Sequence, residues 1–390
     1  MSAADGAIAV VPDAADQAAP RCAHFGVCGG CSMQHLTSAA QLRSKQQRLR
    51  EALEQLAQAT PSRWLPPIES PAWGYRRRAR LGVKYVHRKQ RVLVGFRERR
   101  ARLIADLKRC EVLADPIDAL LEPLAALIEQ LSIRERLPQI EVAAGDATTA
   151  LVLRVLDAPS VADEALLREF EARHPVRLYL QSGDLNSVRS LSEPPPRLFY
   201  RLPQSQIEID FLPTDFIQVN GDVNRALVTQ ARELLQLDAG SSVLDLYCGL
   251  GNFSLPLARR ASHVVGIEGD PGLVQRARAN AHRNGLDNAE FFCADLSSAS
   301  AVWPPRRYSH VLLDPPRVGA AAQLARIAAL APRRLLYIAC EPESLARDVG
   351  VLMREHRFTL LAAGVVDMFP HTAHVESMAL LAPQDAVVGH

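Results

Sequence analysis

The segment Val243-Leu-Asp-Leu-Tyr-Cys-Gly-Leu-Gly-Asn-Phe-Ser254 leaves this chain few folds to choose from. Its apolar run (Val243, Leu244, Leu246) breaks at Gly249 and Gly251, and an apolar helical pattern resumes through Leu257 and Ala258. That order reads as a buried strand, a tight turn and a helix. Two glycines let the backbone come close to a ligand, and the new helix offers unpaired N–H groups there. A nucleoside cofactor fits.

The loop alone does not separate cofactors, because a Gly-x-Gly after a strand also opens dinucleotide-binding units. The third glycine of that fingerprint is replaced by Ser254. The next strand, His263–Glu268, ends in an acid ~20 residues on, where a ribose would be held. Another, Ala289-Glu-Phe-Phe-Cys-Ala-Asp295, ends in a second acid. A glycine loop followed by acids at the ends of successive strands resembles the class I S-adenosylmethionine methyltransferases, an α/β Rossmann-like fold, with a nicotinamide enzyme as the rival.

At 390 residues and 48% hydrophobic content the chain has material for two or three folded units. No stretch reads as a membrane span or signal peptide, so a cytoplasmic protein is expected. Seven cysteines, an odd number, argue against a disulfide framework and for metal or catalytic thiols. The net charge of +2 is uninformative, but fourteen Lys or Arg against two acids fall between Tyr75 and Arg109. Such a run is a solvated face or a phosphate-contact surface, and the second reading is preferred.

Residues 1–20 read as a flexible tail. Cys22, Cys28 and Cys31 then share a glycine-containing loop, and Cys110 is the remaining cysteine of the N-terminal half. Four cysteines suit tetrahedral zinc or a cubane iron–sulfur cluster, and spacing does not choose between them. His24 or His35 in place of Cys110 would favour zinc. Residues 36–60 form an amphipathic helix ended by Pro61. Trp73–Val86 and Arg91–Arg97 alternate basic and apolar residues as an antiparallel pair, in which Trp73, Tyr75 and Tyr85 either pack or stack on unpaired bases. Residues 21–35 and 61–214 are expected to make an α+β central domain, and 215–390 a catalytic one.

In an open α/β sheet the carboxyl ends of the strands line one crevice. Leu246, Glu268, Asp295, Asp314 and Cys340 belong there. A thiol ending a core strand is more often a small buried hydrophobe than a nucleophile. Beside a methyl-donor site, Asp314 and Glu376, however, Cys340 suits methylation of a carbon that is not nucleophilic by itself. Uracil C5 needs a nucleophile added at C6 and a base to remove the C5 proton afterwards. Cys340 is the candidate nucleophile and Glu376 the candidate base.

Cys22-x5-Cys28-x2-Cys31 with Cys110, Phe216-Ile-Gln-Val-Asn220, Leu313-Asp-Pro-Pro-Arg317, Cys340-Glu-Pro342 and Asp367-Met-Phe-Pro-His-Thr372 together resemble the bacterial RNA uracil-C5 methyltransferases, in their iron–sulfur branch acting on large-subunit (23S) ribosomal RNA. The resemblance implies a [4Fe–4S] cluster on the four cysteines, S-adenosylmethionine contacts by Gln218, Tyr247, Asn252, Glu268, Asp295 and Asp314, a single-stranded or unfolded ribosomal RNA segment as partner, and a monomer. It also implies that helix 36–60 packs on the catalytic domain.

Three departures stand out. Relatives of this type carry an N-terminal RNA-binding barrel, the TRAM domain, with no counterpart here, which puts more weight on the basic region after Tyr75. Glu341 follows the nucleophile where Asn is usual, and would raise the Cys340 pKa unless paired. Tyr247 replaces the usual Phe. A transfer-RNA uracil-C5 enzyme shares the catalytic half but not the four cysteines. A cytosine-C5 enzyme would want a cysteine after the proline turn, and an amino methyltransferase an aromatic where Arg317 stands. An RNA-binding assembly factor with lost activity is the reading from another class.

Overall fold

The computed structural model describes residues 14–387. In chain order the strands are β1 (Arg63–Trp64), β2 (Arg78–Val86), β3 (Arg91–Gly95), β4 (Gln139–Ala144), β5 (Thr149–Arg154), β6 (Val176–Gln181), β7 (Val188–Ser190), β8 (Phe199–Leu202) and β9 (Ile207–Asp210). They continue as β10 (Ser242–Leu246), β11 (His263–Glu268), β12 (Ala289–Cys293), β13 (His310–Leu313), β14 (Arg334–Ala339), β15 (Phe358–Val366) and β16 (Glu376–Pro383). The helices used below are α1 (Ser38–Ala52), α2 (Leu121–Gln130), α3 (Val161–Arg173), α4 (Gly221–Leu235), α5 (Ser254–Ala258), α6 (Pro271–Arg283), α7 (Leu324–Ala329) and α8 (Pro342–His356).

The catalytic sheet runs β1-β15-β16-β14-β13-β10-β11-β12. Strands β10 to β14 are mutually parallel, and β16 inserts antiparallel between β14 and β15. Its central strands are near-continuous apolar runs because both faces are covered. Val243 and Val264 join one core layer while Leu244 and Val265 join the other, the period-2 alternation a pleated strand imposes. The layer holding Val243 continues into the central domain, whose six-stranded sheet runs β3-β2-β4-β5-β6-β7 with α2 and α3 packed nearby.

Two boundaries differ from those read in the sequence. The tail reading for residues 1–13 lies outside the described residues, but for 14–20 it fails. Ala14–Asp16 forms a short 3-10 turn, Ala18 N–H donates to the His35 carbonyl, and Arg43 pairs with Asp16. Residues 63–68, placed with the central domain on sequence, add to the catalytic sheet: β1 pairs with β15, and Ile68 N–H reaches Val365. Helix α1, capped by Thr37, ends in one wide π turn over Leu53–Ala57 and packs on α8 and β15.

Candidate active site

The glycine loop has the backbone its sequence demands. Tyr247, Gly249 and Gly251 all have positive φ (66°, 54° and 89°), and a Cβ on Gly249 would meet open space. Glu268, at the end of β11, folds back over the loop. One carboxylate oxygen accepts the Gly249 N–H at 3.1 Å, and the other accepts Gly269 and Asp270 N–H at 2.7 and 3.1 Å. Asp295, two residues beyond β12, is exposed, and hydrogen bonds from the Ser297 hydroxyl and N–H hold its carboxyl below the usual range. The half-buried Tyr247 donates to the Leu296 carbonyl at 3.4 Å.

Asn252 is committed to the protein itself. Its carbonyl accepts from Tyr200 and Asn224, and its amide donates back to Asn224. It brackets the loop against α4. Gln218 lies on the segment before α4, fixed by Arg77 donating to its backbone carbonyl at 2.8 Å, with its side chain half-buried. Its neighbour Phe216 is 69% exposed.

Cys340 follows β14 immediately, and Glu376 opens β16. These strands are antiparallel with Ala339 opposite Ser377, so one step further Cys340 stands opposite Glu376 on the same face. Asp314 follows β13, the parallel neighbour of β14, at the same end. Three acidic or nucleophilic groups thus share one cleft. Burial raises all three: Glu376 to about 8, helped by Asp314 and opposed by Lys45, and Asp314 to about 7. The Cys340 thiol is pushed up by burial and by Glu376, while Arg317 pulls it down. Asp314 nevertheless keeps part of its surface open to the cleft. Cys340 also sits just before the N-terminus of α8, whose unpaired N–H groups favour a thiolate.

Glu341 is paired. Arg48 of α1 bridges it to Glu343, bonding both Glu343 oxygens at 2.9 Å and the Ala373 carbonyl at 3.4 Å. Burial raises Glu341, whereas Glu343 is held low by hydrogen bonds from Glu341 and Arg48 that outweigh its own burial. Glu341 is not among the groups that raise Cys340.

The loop from Pro315 to Gly319 is fixed from behind. Asp348 of α8 accepts from Tyr337 at 2.6 Å and from Ala320 N–H at 2.7 Å. Sequence reasoning passed over Lys45, Arg48, Tyr337 and Asp348, because helix polarity and apolar runs do not show which polar side chains turn inward.

In the central domain Cys22, Cys28, Cys31 and Cys110 line one cavity together with Phe25, Phe96 and Leu107. His24 also borders it, and His35 turns to Phe25 instead. Burial, with mutual thiolate repulsion, raises Cys28 and Cys110 to about 11. Among the described residues no group of three or more His, Cys, Asp or Glu is arranged to hold a metal ion. Trp73 and Tyr75 pack rather than wait for bases: Trp73 lies 3.9 Å from the His371 ring and Tyr75 donates to the Pro370 carbonyl. The basic cluster is partly self-neutralised, since Arg78 and Arg80 share Glu141 while Lys89 and Arg91 share Asp106.

A mostly parallel sheet with a glycine loop and acids on the next two strands defines a class I S-adenosylmethionine-dependent methyltransferase, and here a thiol faces a carboxyl across two of its strands. Residues 199–301 and 305–384 match the family described as tRNA (Uracil-5-)-methyltransferase. Over 376 residues the chain is 50% identical to the 23S rRNA (uracil(1939)-C(5))-methyltransferase RlmD of Alkalilimnicola ehrlichii, covering 96% of this chain and 84% of that one. It is 49% identical to the protein of the same name from Nitrosococcus oceani, covering 95% and 84%. In fold it resembles the tRNA (uracil-54, C5)-methyltransferase of Pyrococcus abyssi, solved with S-adenosyl-L-homocysteine, at a TM-score of 0.72 and 24% identity, over 90% of this chain and 86% of that one. The chain belongs to the RNA uracil-C5 methyltransferase family. Among the described residues no helix is long and apolar enough to cross a membrane.

Proposed function

We propose that this protein methylates C5 of a uridine in 23S ribosomal RNA, with Cys340 as nucleophile and Glu376 as base. The cross-strand register that sets the thiol opposite the carboxyl, at the mouth of the glycine loop, carries this reading. Identity to the RlmD proteins, extending through the four-cysteine region that the family match omits, favours ribosomal over transfer RNA.

Bound S-adenosylmethionine supplies an electrophilic methyl. Glu268 suits its ribose, Asp295 its adenine amino group, and Tyr247 the adenosine face, while Gln218 and Asp314 reach the cleft from the other side. Asn252 contributes by holding the loop rather than by a free side-chain donor. The Cys340 thiolate adds to uracil C6, and the C5–C6 π electrons move into the C4 carbonyl as an enolate. Methylated C5 then loses its proton to the Glu376 carboxylate. The C–H electrons restore the C5–C6 double bond as the C6–S bond breaks, returning its pair to Cys340. A base with a pKa of about 8 is well matched to that removal near neutral pH.

Four thiols on one cavity, two of them buried and two half-buried, fit a metal cluster. A four-cysteine donor set suits tetrahedral zinc and a cubane cluster alike, and the resemblance of the cysteine motif to the iron–sulfur branch favours the second. A [4Fe–4S] core on Cys22, Cys28, Cys31 and Cys110 would neutralise the thiolates and cross-link the loop to Cys110.

The pairing of Glu341 with Arg48 removes the ground for reading it as a mark of lost activity. The test is methylation of 23S rRNA by purified protein, with 5-methyluridine read by mass spectrometry, and trapping on RNA carrying 5-fluorouridine. The parent should form a denaturation-resistant adduct and Cys340→Ala none; a Cys340→Ala protein that still methylates would overturn the mechanism.

A further inference from the structure

Helix α1 lies outside the family match, yet one of its faces reaches into the catalytic loops. Gln41, Lys45 and Arg48 follow the helical spacing of one stripe. Gln41 accepts the His371 N–H at 2.8 Å and meets its ring Nδ1 at 3.2 Å, and Arg48 holds Glu341. Lys45, between them, is 1% exposed, an expensive place for an ammonium. It donates to the Asp367 carboxylate at 2.5 Å and to the Phe369 carbonyl at 2.9 Å.

Those two acceptors begin the loop that leads to Glu376. Val366 is directly opposite Glu376 in the β15–β16 register, so Asp367 and its lysine stand beside the start of β16. We propose that Lys45 is a positioning residue for the proton-removal step: its buried ammonium fixes the 367–369 turn and supplies the positive field that keeps Glu376 ionisable. This rests on Glu376 being the base.

The groups acting on Glu376 are Asp314 from the end of β13 and Lys45 from α1, and Glu376 acts in turn on Cys340. Lys45 in turn faces Asp367 and Glu376, and its charge is felt by His371 and His374 of the intervening loop. Among the described residues, Asp314 is the like charge and Lys45 the cation whose fields act on this carboxylate. Removing the cation leaves burial and Asp314 unopposed. The base then ionises at higher pH, with no change in the atoms that react.

The experiment is single turnover of the full-length protein on 23S rRNA across pH, following formation and decay of the protein–RNA adduct on denaturing gels. In the parent, adduct decay should rise along a limb set by Glu376. Lys45→Met should still form the methylated adduct, with the decay limb moved up by about one pH unit. Decay should be about tenfold slower below both limbs and converge with the parent above them. A purely structural role would slow decay equally at every pH, and that outcome, or an unmoved limb, overturns the proposal. If Lys45→Met does not fold, Asp367→Asn decides: freed from its partner, Lys45 should act more strongly on Glu376 and move the limb down, and a limb that stays or rises overturns the proposal. Failure of the underlying reading is seen separately, as absence of any adduct in the parent or its persistence in Cys340→Ala.

Discussion

At the scale of single residues the cleft concentrates groups whose ionisation burial opposes. Glu376 titrates at about 8, above its ordinary value of 4.5. Between those values the folded chain binds a proton that the unfolded chain has lost, so stability falls as pH rises through that window. We expect the free energy of unfolding to drop by an amount on the order of a few kcal/mol from pH 5 to pH 8, and Glu376→Gln to flatten that slope, as denaturant titrations at the two pH values will show. The same substitution should leave adduct formation intact and trap the methylated adduct, lowering turnover by about 10²-fold or more. Both effects follow from one carboxyl, but the sequence exposed just one of them. Cys340 and Glu376, the proposed nucleophile and base, could be picked out by their company: the thiol ends a core strand beside a methyl-donor loop, and the acid follows in the stretch Phe369–Met378. Lys45 could not: on a helix rich in Arg, Lys and Gln, nothing in the spacing marks which cation is buried.

At the scale of elements, the turn after β13 shows how geometry is enforced. Gly319 has φ of 88°, and a Cβ there would lie 2.7 Å from an Asp348 carboxylate oxygen. Gly319→Ala should therefore cost about 1–3 kcal/mol and lower the rate of adduct formation, because the shifted turn carries Asp314 and Arg317. Thermal melts and single-turnover kinetics check the two halves. Arg48→Met should have its effect elsewhere: Glu341, the residue next to Cys340, loses its counter-charge, so adduct formation should slow several-fold at neutral pH and recover as pH rises. The double variant Arg48→Met with Glu341→Asn should restore the parental profile. The strands behind these turns were readable from their apolar runs, within a residue or two at each end. Strand β1 was not, since two residues pairing with β15 leave no periodicity to find.

At the scale of the whole molecule, the two domains meet where their chemistry does. The loop carrying Cys31 continues directly into Ser32 and Met33, whose N–H groups both donate to the His371 carbonyl at 2.9 and 3.0 Å, and Ala373 N–H returns a bond to the Ser32 hydroxyl. Tyr75 and Trp73, two strands' lengths of chain away, close the same loop from the other side. The segment that leads into Glu376 is thus held by the cysteine loop in front and by α1 behind, and from within by Thr372, which bonds the Phe369 carbonyl and accepts the His374 N–H. His371, with φ of 65° and a buried ring, sits at the junction and stays there because the surroundings over-determine it. Loosening the cysteine loop should then be felt first at residues 369–375 rather than across the sheet. Cys110→Ser, which removes a cavity wall without touching that loop, is expected to raise amide exchange about tenfold or more at 369–375 while β10 to β14 stay protected. S-adenosylmethionine affinity, which the proposed reading assigns to the glycine loop and Glu268, should change little. Uniform loss of protection, or unchanged exchange at 369–375, would separate a general folding role of the cysteines from the directed one that these hydrogen bonds describe.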